Sequence, residues 1–391
     1  MTAVPLPPSL PEPDADARAH SARVVGAIAR ALDAAGGFLT LERYVSMALY
    51  EPGLGYYVAG ARKFGRAGDF VTAPELTPLF GAALAAQVAR ILAATRERVV
   101  LELGAGTGAL CADLLVALAA QGALPHRYEI LEVSPDLRER QRATLAARAP
   151  ALVGRVTWLD RLPARIAGAI VMNEVLDAVP AHVVVRRDGA WLERGVTLRD
   201  GRLALDERPL VHGPLRALAE ARFPPDQDYA SELNPAAEAL VGALARKLSA
   251  GAMLIVDYGF PRAEYYHPQR VDGTLVAHYR HRVLSDVLVL PGLADLTAHV
   301  DFTAIAEAGE RAGLHVAGFA SQGAFLLGCG ILDALARCGE PESAAYLREA
   351  AAVQKLVSPA EMGELFKVLG LTRSERIDWP GFAISDRSSR L

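Results

Sequence analysis

Cysteine is scarce in this chain, three in 391 residues at Cys111, Cys329 and Cys338, with no pair at metal-ligand spacing. That count excludes a disulfide framework and leaves no metal site to expect. Long hydrophobic runs are also missing: no apolar stretch reaches the roughly 18 residues that a membrane-spanning helix needs, so no membrane insertion is expected. Charge of one sign is lacking as well. With 41 basic against 45 acidic residues the net charge is −4. No basic face is evident for a phosphate backbone, and no nucleic-acid partner is expected. Residues 1–20 lack the basic start and apolar centre of a secretory signal, and the basic, acid-poor character of a mitochondrial presequence. They carry Pro5, Pro7, Pro8, Pro11 and Pro13 beside Glu12, Asp14 and Asp16, which reads as a disordered or extended tail.

What the chain has in quantity is apolar residues, 52%. That suffices for a sizeable core, in one large domain with insertions or in two. Helical spacing runs from Ser21 to Leu49, broken at Gly36-Gly37. The stretch Tyr50 to Phe70 is rich in glycine and reads as a lid loop packed by Tyr56, Tyr57 and Phe64. Thr77 to Ala94 is an apolar helix. From Val99 onward short apolar strands alternate with amphipathic helices. The strands are Val99-Val-Leu-Glu-Leu, Tyr128-Glu-Ile-Leu-Glu, Val156-Thr-Trp-Leu, Ala169-Ile-Val-Met and Met253-Leu-Ile-Val. This alternation means βαβ units and a mostly parallel sheet. After a helix from Phe302, His315-Val-Ala-Gly-Phe and Phe325-Leu-Leu-Gly read as an antiparallel final pair.

Two insertions interrupt the pattern. Asp188-Gly189 and Asp200-Gly201 sit between alternating segments and predict a small antiparallel hairpin flap. Tyr265 to Asp301 is rich in His, Arg, Tyr and Asp. After Gly330 the chain reads as helices over Ile331 to Arg337, Pro341 to Val357 and Pro359 to Leu369, with Trp379 and Phe382 packing back on the body. The expected organisation is a tail over 1–20, N-terminal helices and lid loop over 21–95, a core over 96–330 with insertions at 182–250 and 262–301, and a helical extension over 331–391.

The chemistry gathers at strand ends. Gly104, Gly106 and Gly108, with Ala105 between the first two, follow a strand and open a helix. Without a Cβ the backbone can lie against a ligand, and the helix start offers N–H groups and a positive dipole end. A dinucleotide, S-adenosylmethionine, or a turn without ligand would all fit that loop. Glu102 favours S-adenosylmethionine, because a carboxylate there suits a cationic methionyl amine and repels a pyrophosphate. Glu132 ends the second strand, where an acid binds ribose hydroxyls in either cofactor class. Asp160 follows the third strand and is a candidate for the adenine amino group. Thr72 and Glu75, beside the lid, are candidate cofactor contacts. The polar run Asn173-Glu-Val-Leu-Asp177-Ala-Val-Pro180 follows the fourth strand, on the edge of an open α/β sheet where ligands bind. Asn173, Glu174, Asp177 and His299 are the candidate catalytic residues. Glu174 and Asp177, three apart, would share one face of a helical turn. Asp301 reads equally well as the N-cap of the helix from Phe302.

The Asn173–Pro180 run resembles the Asn-Glu-x-x-Asp-x-x-Pro signature of the MidA-like family. Tyr50-Glu-Pro-Gly-Leu-Gly-Tyr-Tyr57, Gly68-Asp-Phe-Val-Thr-Ala-Pro-Glu75 and Ala294-Asp-Leu-Thr-Ala-His-Val-Asp-Phe302 are similar to that family too. The resemblance implies a Rossmann-like class I methyltransferase with a seven-stranded sheet and an antiparallel last strand. It implies S-adenosyl-L-methionine as donor and an arginine of a partner protein, similar to a respiratory complex I subunit, as acceptor. The missing presequence fits a bacterial, cytoplasmic relative. The other readings are a nicotinamide-dependent oxidoreductase, a cofactor-binding assembly protein without turnover, and a small-molecule methyltransferase.

Overall fold

The structure, a computed structural model, describes residues 10–58, 72–374 and 376–391. Contacts group the chain into two compact units. The first comprises Met1–Phe70, Asp177–Ala237 and Arg262–His299; the second comprises Val71–Leu176, Glu238–Pro261 and Val300–Leu391.

The second unit is built on one sheet. Its main strands are β1 (Val99–Leu103), β2 (Arg127–Leu131), β3 (Val156–Leu159), β4 (Ile166–Asn173), β5 (Leu248–Phe260), β6 (His315–Ser321) and β7 (Phe366–Thr372). They lie in the order β6-β7-β5-β4-β1-β2-β3, and Val300–Asp301 adds a short eighth strand beside the end of β5. β5, β4, β1, β2 and β3 run parallel. β7 runs antiparallel to both β5 and β6. Every residue of β1 and of β4 is buried, as in a parallel sheet covered on both faces. Val100, Val171, Leu254 and Val368 from four strands join Leu114 and Leu118 of helix Ala109–Ala120 in one core.

Chain order reverses at β1 and β4. From β1 the chain proceeds to β2 and β3 on one side, and then crosses back to β4 and β5 on the other. A crevice opens beyond the carboxyl ends of two strands that diverge in this way. Glu102 and the glycine loop end β1, and Asn173 ends β4. The topology thus places both motifs at the switch point of the second unit.

The expected ending of the sheet is corrected. Gln322–Gly328 is a helix, with the Ser321 side chain accepting from the Ala324 amide as its cap. The partner of β6 is β7, within the segment expected to be a helix over Pro359 to Leu369. The helix there covers only Met362–Leu365, and Phe366–Thr372 is buried at every position. Phe325-Leu-Leu-Gly is too short and too apolar to carry a period that separates strand from helix. The core therefore does not end at 330, because the C-terminal extension supplies the antiparallel strand. Trp379 and Phe382 do pack back, with Phe382 at 5.2 Å from the ring of Phe325.

The first unit holds its own core, with Val24, Ile28, Tyr44, Leu49, Val183, Val196 and Leu296. The flap is a meander of His182–Arg187, Ala190–Arg199 and Arg202–Pro209. At both turns Asp and Gly take positive φ: Asp188 50° and Gly189 77°, Asp200 50° and Gly201 72°. This is the turn type that matches strand twist, and why Asp-Gly stands there. Tyr229–Leu233 and Leu39–Thr40 complete this sheet. The second insertion folds as a three-stranded sheet of Val276–Tyr279, Arg282–Leu284 and Asp295–Thr297.

The helix Ala15–Ala34 begins inside the stretch 1–20 that was expected to be a tail. Asp14 caps it by accepting from the Ala17 amide at 2.8 Å. Residues 1–9 and 59–71, which include Phe64 and the rest of the expected lid from residue 59 on, lie outside the described residues. No helix among the described residues is long and apolar enough to cross a membrane.

Candidate active site

The loop after β1 turns on glycines at positive φ, Gly104 at 66°, Gly106 at 51° and Gly108 at 85°. Two of them are glycine for different reasons. A Cβ on Gly104 would stand 2.7 Å from Val175 Cγ2, so the protein itself fills that space. A Cβ on Gly106 would meet nothing within 4 Å. The open side at Gly106 is room for a ligand against bare backbone. Gly108 caps the helix Ala109–Ala120 in the left-handed region, and Ala105 is buried beneath the loop. Thr107 in the loop donates to the Glu75 carboxylate, which ties that residue to the glycine loop. Thr72 begins the short helix Ala73–Leu76 without a side-chain cap bond.

Glu102 is 2% exposed and accepts a hydrogen bond from Tyr128 Oη at 2.6 Å. Burial outweighs that bond and pushes its carboxyl up to about 7. Glu132 is better supplied. Its Oε1 accepts from the Ser134 amide at 2.8 Å and its Oε2 from Gln141 Nε2 at 3.3 Å. Burial still raises its pKa. Val133, next in the chain, is apolar and 69% exposed, an open face beside that acid. Asp160 is turned outward, its side chain 84% exposed and paired with Arg138 at 2.5 Å.

The end of β4 is held from behind. Asp257 on β5 is fully buried, and its carboxylate accepts from the amides of Val175 at 3.2 Å and Leu176 at 2.9 Å. The Glu174 amide donates to the Val256 carbonyl at 2.9 Å. These bonds hold Glu174 at φ 53°, in the left-handed region that a residue with a Cβ rarely adopts. The segment Glu174–Pro180 is bends and a turn, not a helix. The expectation that Glu174 and Asp177 share a helical face is therefore corrected: the strained backbone at Glu174 breaks that periodicity. Asn173 Nδ2 donates to Glu174 Oε1 at 3.1 Å, while its own Oδ1 is buried with no hydrogen-bond partner.

Asp177 and His299 belong to the first unit. The Ala298 amide donates to the Asp177 carbonyl at 3.1 Å, and the His299 amide to Thr274 Oγ1 at 3.0 Å. Asp301, in the second unit, accepts from the Ala304 amide as the N-cap of Phe302–Arg311.

Three residues at this edge carried no sequence signal. Asp257 pins the Glu174 turn from 82 residues away. Tyr128 serves Glu102. Gln141, fully buried, donates to the Gly106 carbonyl at 3.1 Å and to Glu132, and accepts from Trp158 Nε1 at 2.8 Å. It links the glycine loop to the second and third strands. It stands one turn before Leu145, on the buried face of helix Pro135–Arg148.

The edge thus offers open backbone at Gly106, buried carboxyls at Glu102 and Glu132, and an unsatisfied acceptor at Asn173. This set fits S-adenosylmethionine, with its ribose hydroxyls and cationic amine, better than a pyrophosphate. The comparisons with known proteins agree. A family model described as "Putative S-adenosyl-L-methionine-dependent methyltransferase" matches residues 83–320. The Mus musculus protein named "Protein arginine methyltransferase NDUFAF7, mitochondrial" is 31% identical over 375 residues, covering 87% of this chain and 82% of its own. The Homo sapiens protein of that name is 29% identical, covering 90% and 84%. Among solved structures, a Burkholderia thailandensis protein bound to S-adenosyl-homocysteine superposes with TM-score 0.94. It is 48% identical and covers 98% of this chain and 100% of its own.

Proposed function

We propose, because the chain belongs to the MidA-like family of S-adenosyl-L-methionine-dependent methyltransferases, that its methyl acceptor is an arginine side chain of a partner protein. The cofactor is S-adenosyl-L-methionine, which when bound supplies an electrophilic sulfonium methyl. In this reading Glu102 meets the cationic amine and Glu132 the ribose hydroxyls. The backbone of Gly104, Ala105, Gly106 and Gly108 lies against the ligand. Thr72, Glu75 and Asp160 border the site, with Glu75 acting through Thr107.

One observation carries the acceptor reading. At the end of β4, Asn173 Oδ1 is buried without a partner, beside a carboxylate held in left-handed backbone. An unsatisfied buried acceptor costs about 1–3 kcal/mol, and strain of this kind collects at functional sites. Asn173 Oδ1 is a hydrogen-bond acceptor with no donor of its own, so the group that completes it is a donor. A guanidinium has five N–H donors and no acceptor. Its pKa lies above about 12, so no base need deprotonate it in advance. Glu174 would fix its plane and draw its positive charge away from the nitrogen to be methylated. Orientation then supplies much of the rate. The relatives named as arginine methyltransferases support the same acceptor.

The test is Glu174→Gln in the full chain. S-adenosylhomocysteine binding by calorimetry should be unchanged. Labelled-methyl transfer to proteins in a lysate of a deletion strain should fall about a hundredfold, the usual cost of losing one preorganised electrostatic contact. Mass spectrometry should find the label on arginine. Undiminished transfer by Glu174→Gln would remove Glu174 from the mechanism. Label on another side chain, or on a small molecule, would remove the arginine acceptor.

A further inference from the structure

The first unit contains a second cluster that the cofactor does not explain. Tyr57 Oη donates to Asp295, 2.9 Å from each carboxylate oxygen. Tyr50 stacks on Tyr57, with ring centroids 5.5 Å apart and planes at 23°. Its own hydroxyl donates to the Ala178 carbonyl at 2.8 Å. Asp295 and Thr297 lie two apart on one strand and so face the same way. Both are buried, at 1% and 4% exposure, whereas Tyr50 at 38% opens the cluster to solvent. Thr297 Oγ1 is buried and has no hydrogen-bond partner. Beyond their burial, both tyrosine hydroxyls are raised by the charges of Asp295 and Asp177, so two carboxylates bear on this aromatic pair.

A Tyr–Asp hydrogen bond alone could be a structural staple. The orphaned hydroxyl beside it, and the stacked rings that lead to solvent, are not accounted for by a staple. A flat cation with several donors satisfies all three features: it stacks on an aromatic face, is drawn by the carboxylates, and donates to the hydroxyl. We infer that Tyr50, Tyr57, Asp295 and Thr297 form a recognition recess for a guanidinium of the protein substrate. Asp295 supplies the counter-charge, Thr297 an acceptor, and Tyr50 the stacking face. The inference rests on the arginine reading given above and adds a specificity site to it.

The experiment titrates N-acetyl-arginine amide into the full chain saturated with S-adenosylhomocysteine, followed by calorimetry. N-acetyl-citrulline amide, the neutral isostere, is the control. Arginine amide should bind, and citrulline amide should bind at least about tenfold more weakly, as loss of a charge-assisted contact implies. Thr297→Val keeps the volume and removes a hydroxyl that has no hydrogen-bond partner, so it should fold; it should weaken the arginine probe about threefold. Asp295→Asn should weaken it about tenfold or more. S-adenosylhomocysteine affinity should be unchanged in both variants. If Asp295→Asn does not fold, Thr297→Val decides. Arginine amide failing to bind the wild-type chain, binding no better than citrulline amide, or binding Thr297→Val as tightly as wild type would overturn the recess. Those results would leave the arginine acceptor standing if the labelled methyl is still found on arginine. Label elsewhere would fail the acceptor reading itself.

Discussion

Glu102 in the second unit and Glu232 in the first are both glutamates on buried strands, and each is 2% exposed. Their surroundings differ. Glu232 accepts from the amides of Thr274 and Leu275, both at 2.8 Å, and from the hydroxyls of Thr274 and Tyr265, both at 3.1 Å, with Ser231 Oγ at 3.4 Å. Among the described residues, the Glu102 carboxyl accepts from Tyr128 alone. Burial is the same cost for both, and what repays it is not. Glu232 is repaid by its own chain and ties Thr274 and Leu275 to the Tyr229–Leu233 strand. Glu102 is left with its carboxyl up at about 7. A buried acid that its own protein leaves short of donors is where a cationic ligand gains most.

Glu232→Ala should give the largest effect. It strips two amides and two tyrosine or threonine hydroxyls of their acceptor, and the unfolding free energy in denaturant should fall by about 4 kcal/mol. A loss below about 1 kcal/mol would show that Glu232 is no staple and would dissolve the contrast.

Next comes pH. The Glu102 pKa of about 7 lies above its unfolded value of about 4.3, so its contribution is full below the unfolded value and is lost as pH rises through about 7. Between pH 4 and pH 8 the ligand-free wild type should therefore lose about 3 kcal/mol relative to Glu102→Gln. Asp113, raised by burial to about 6, is common to both chains and cancels in the difference. Binding runs the other way. A cationic amine needs the charged carboxylate, so S-adenosylhomocysteine affinity should rise about tenfold from pH 6 to pH 8 and level off above that. In Glu102→Gln it should be flat and weak. Parallel pH profiles for the two chains would break the comparison.

Gly106→Ala tests the loop that follows Glu102. The strain of a left-handed residue should cost about 1–2 kcal/mol of stability, because the new Cβ meets no protein atom. S-adenosylhomocysteine affinity should fall by more than that strain predicts, since the Cβ enters the space read as the ligand's. Calorimetry beside a denaturant melt separates the two. Tyr128→Phe should have the smallest effect, about 1 kcal/mol, while moving the midpoint of the binding profile to higher pH as Glu102 loses its donor.

The strands β1 to β5 and the two Asp-Gly turns were legible because their signals are local. Apolar runs, glycines at strand ends and turn residues act within a few positions of themselves. The places of Glu102, Glu132 and Asn173 at the carboxyl ends of strands were legible for the same reason, as polar residues at the ends of apolar runs. The final strand pair was misread, since Phe325-Leu-Leu-Gly is apolar enough for either a strand or a helix. The cap at Ser321 and the burial of Phe366–Thr372 decided it. The start of the first helix was misplaced because Asp14 acts as a cap only once the helix is there to be capped.

By itself the sequence determined that a parallel α/β sheet carries a glycine loop, and that acids and an asparagine stand at its carboxyl edge. Only the tertiary structure decided which acids are satisfied and which are left short. Tyr128 reaches Glu102 across 26 positions, Asp257 reaches the Glu174 turn across 82, and Thr274 reaches Glu232 across 42. Hydrogen-bond complement and burial depend on such distant partners, and no local pattern encodes them. They fix the charge state of Glu102, the strain at Glu174 and the orphaned oxygen of Asn173, and those features set the chemistry of the edge.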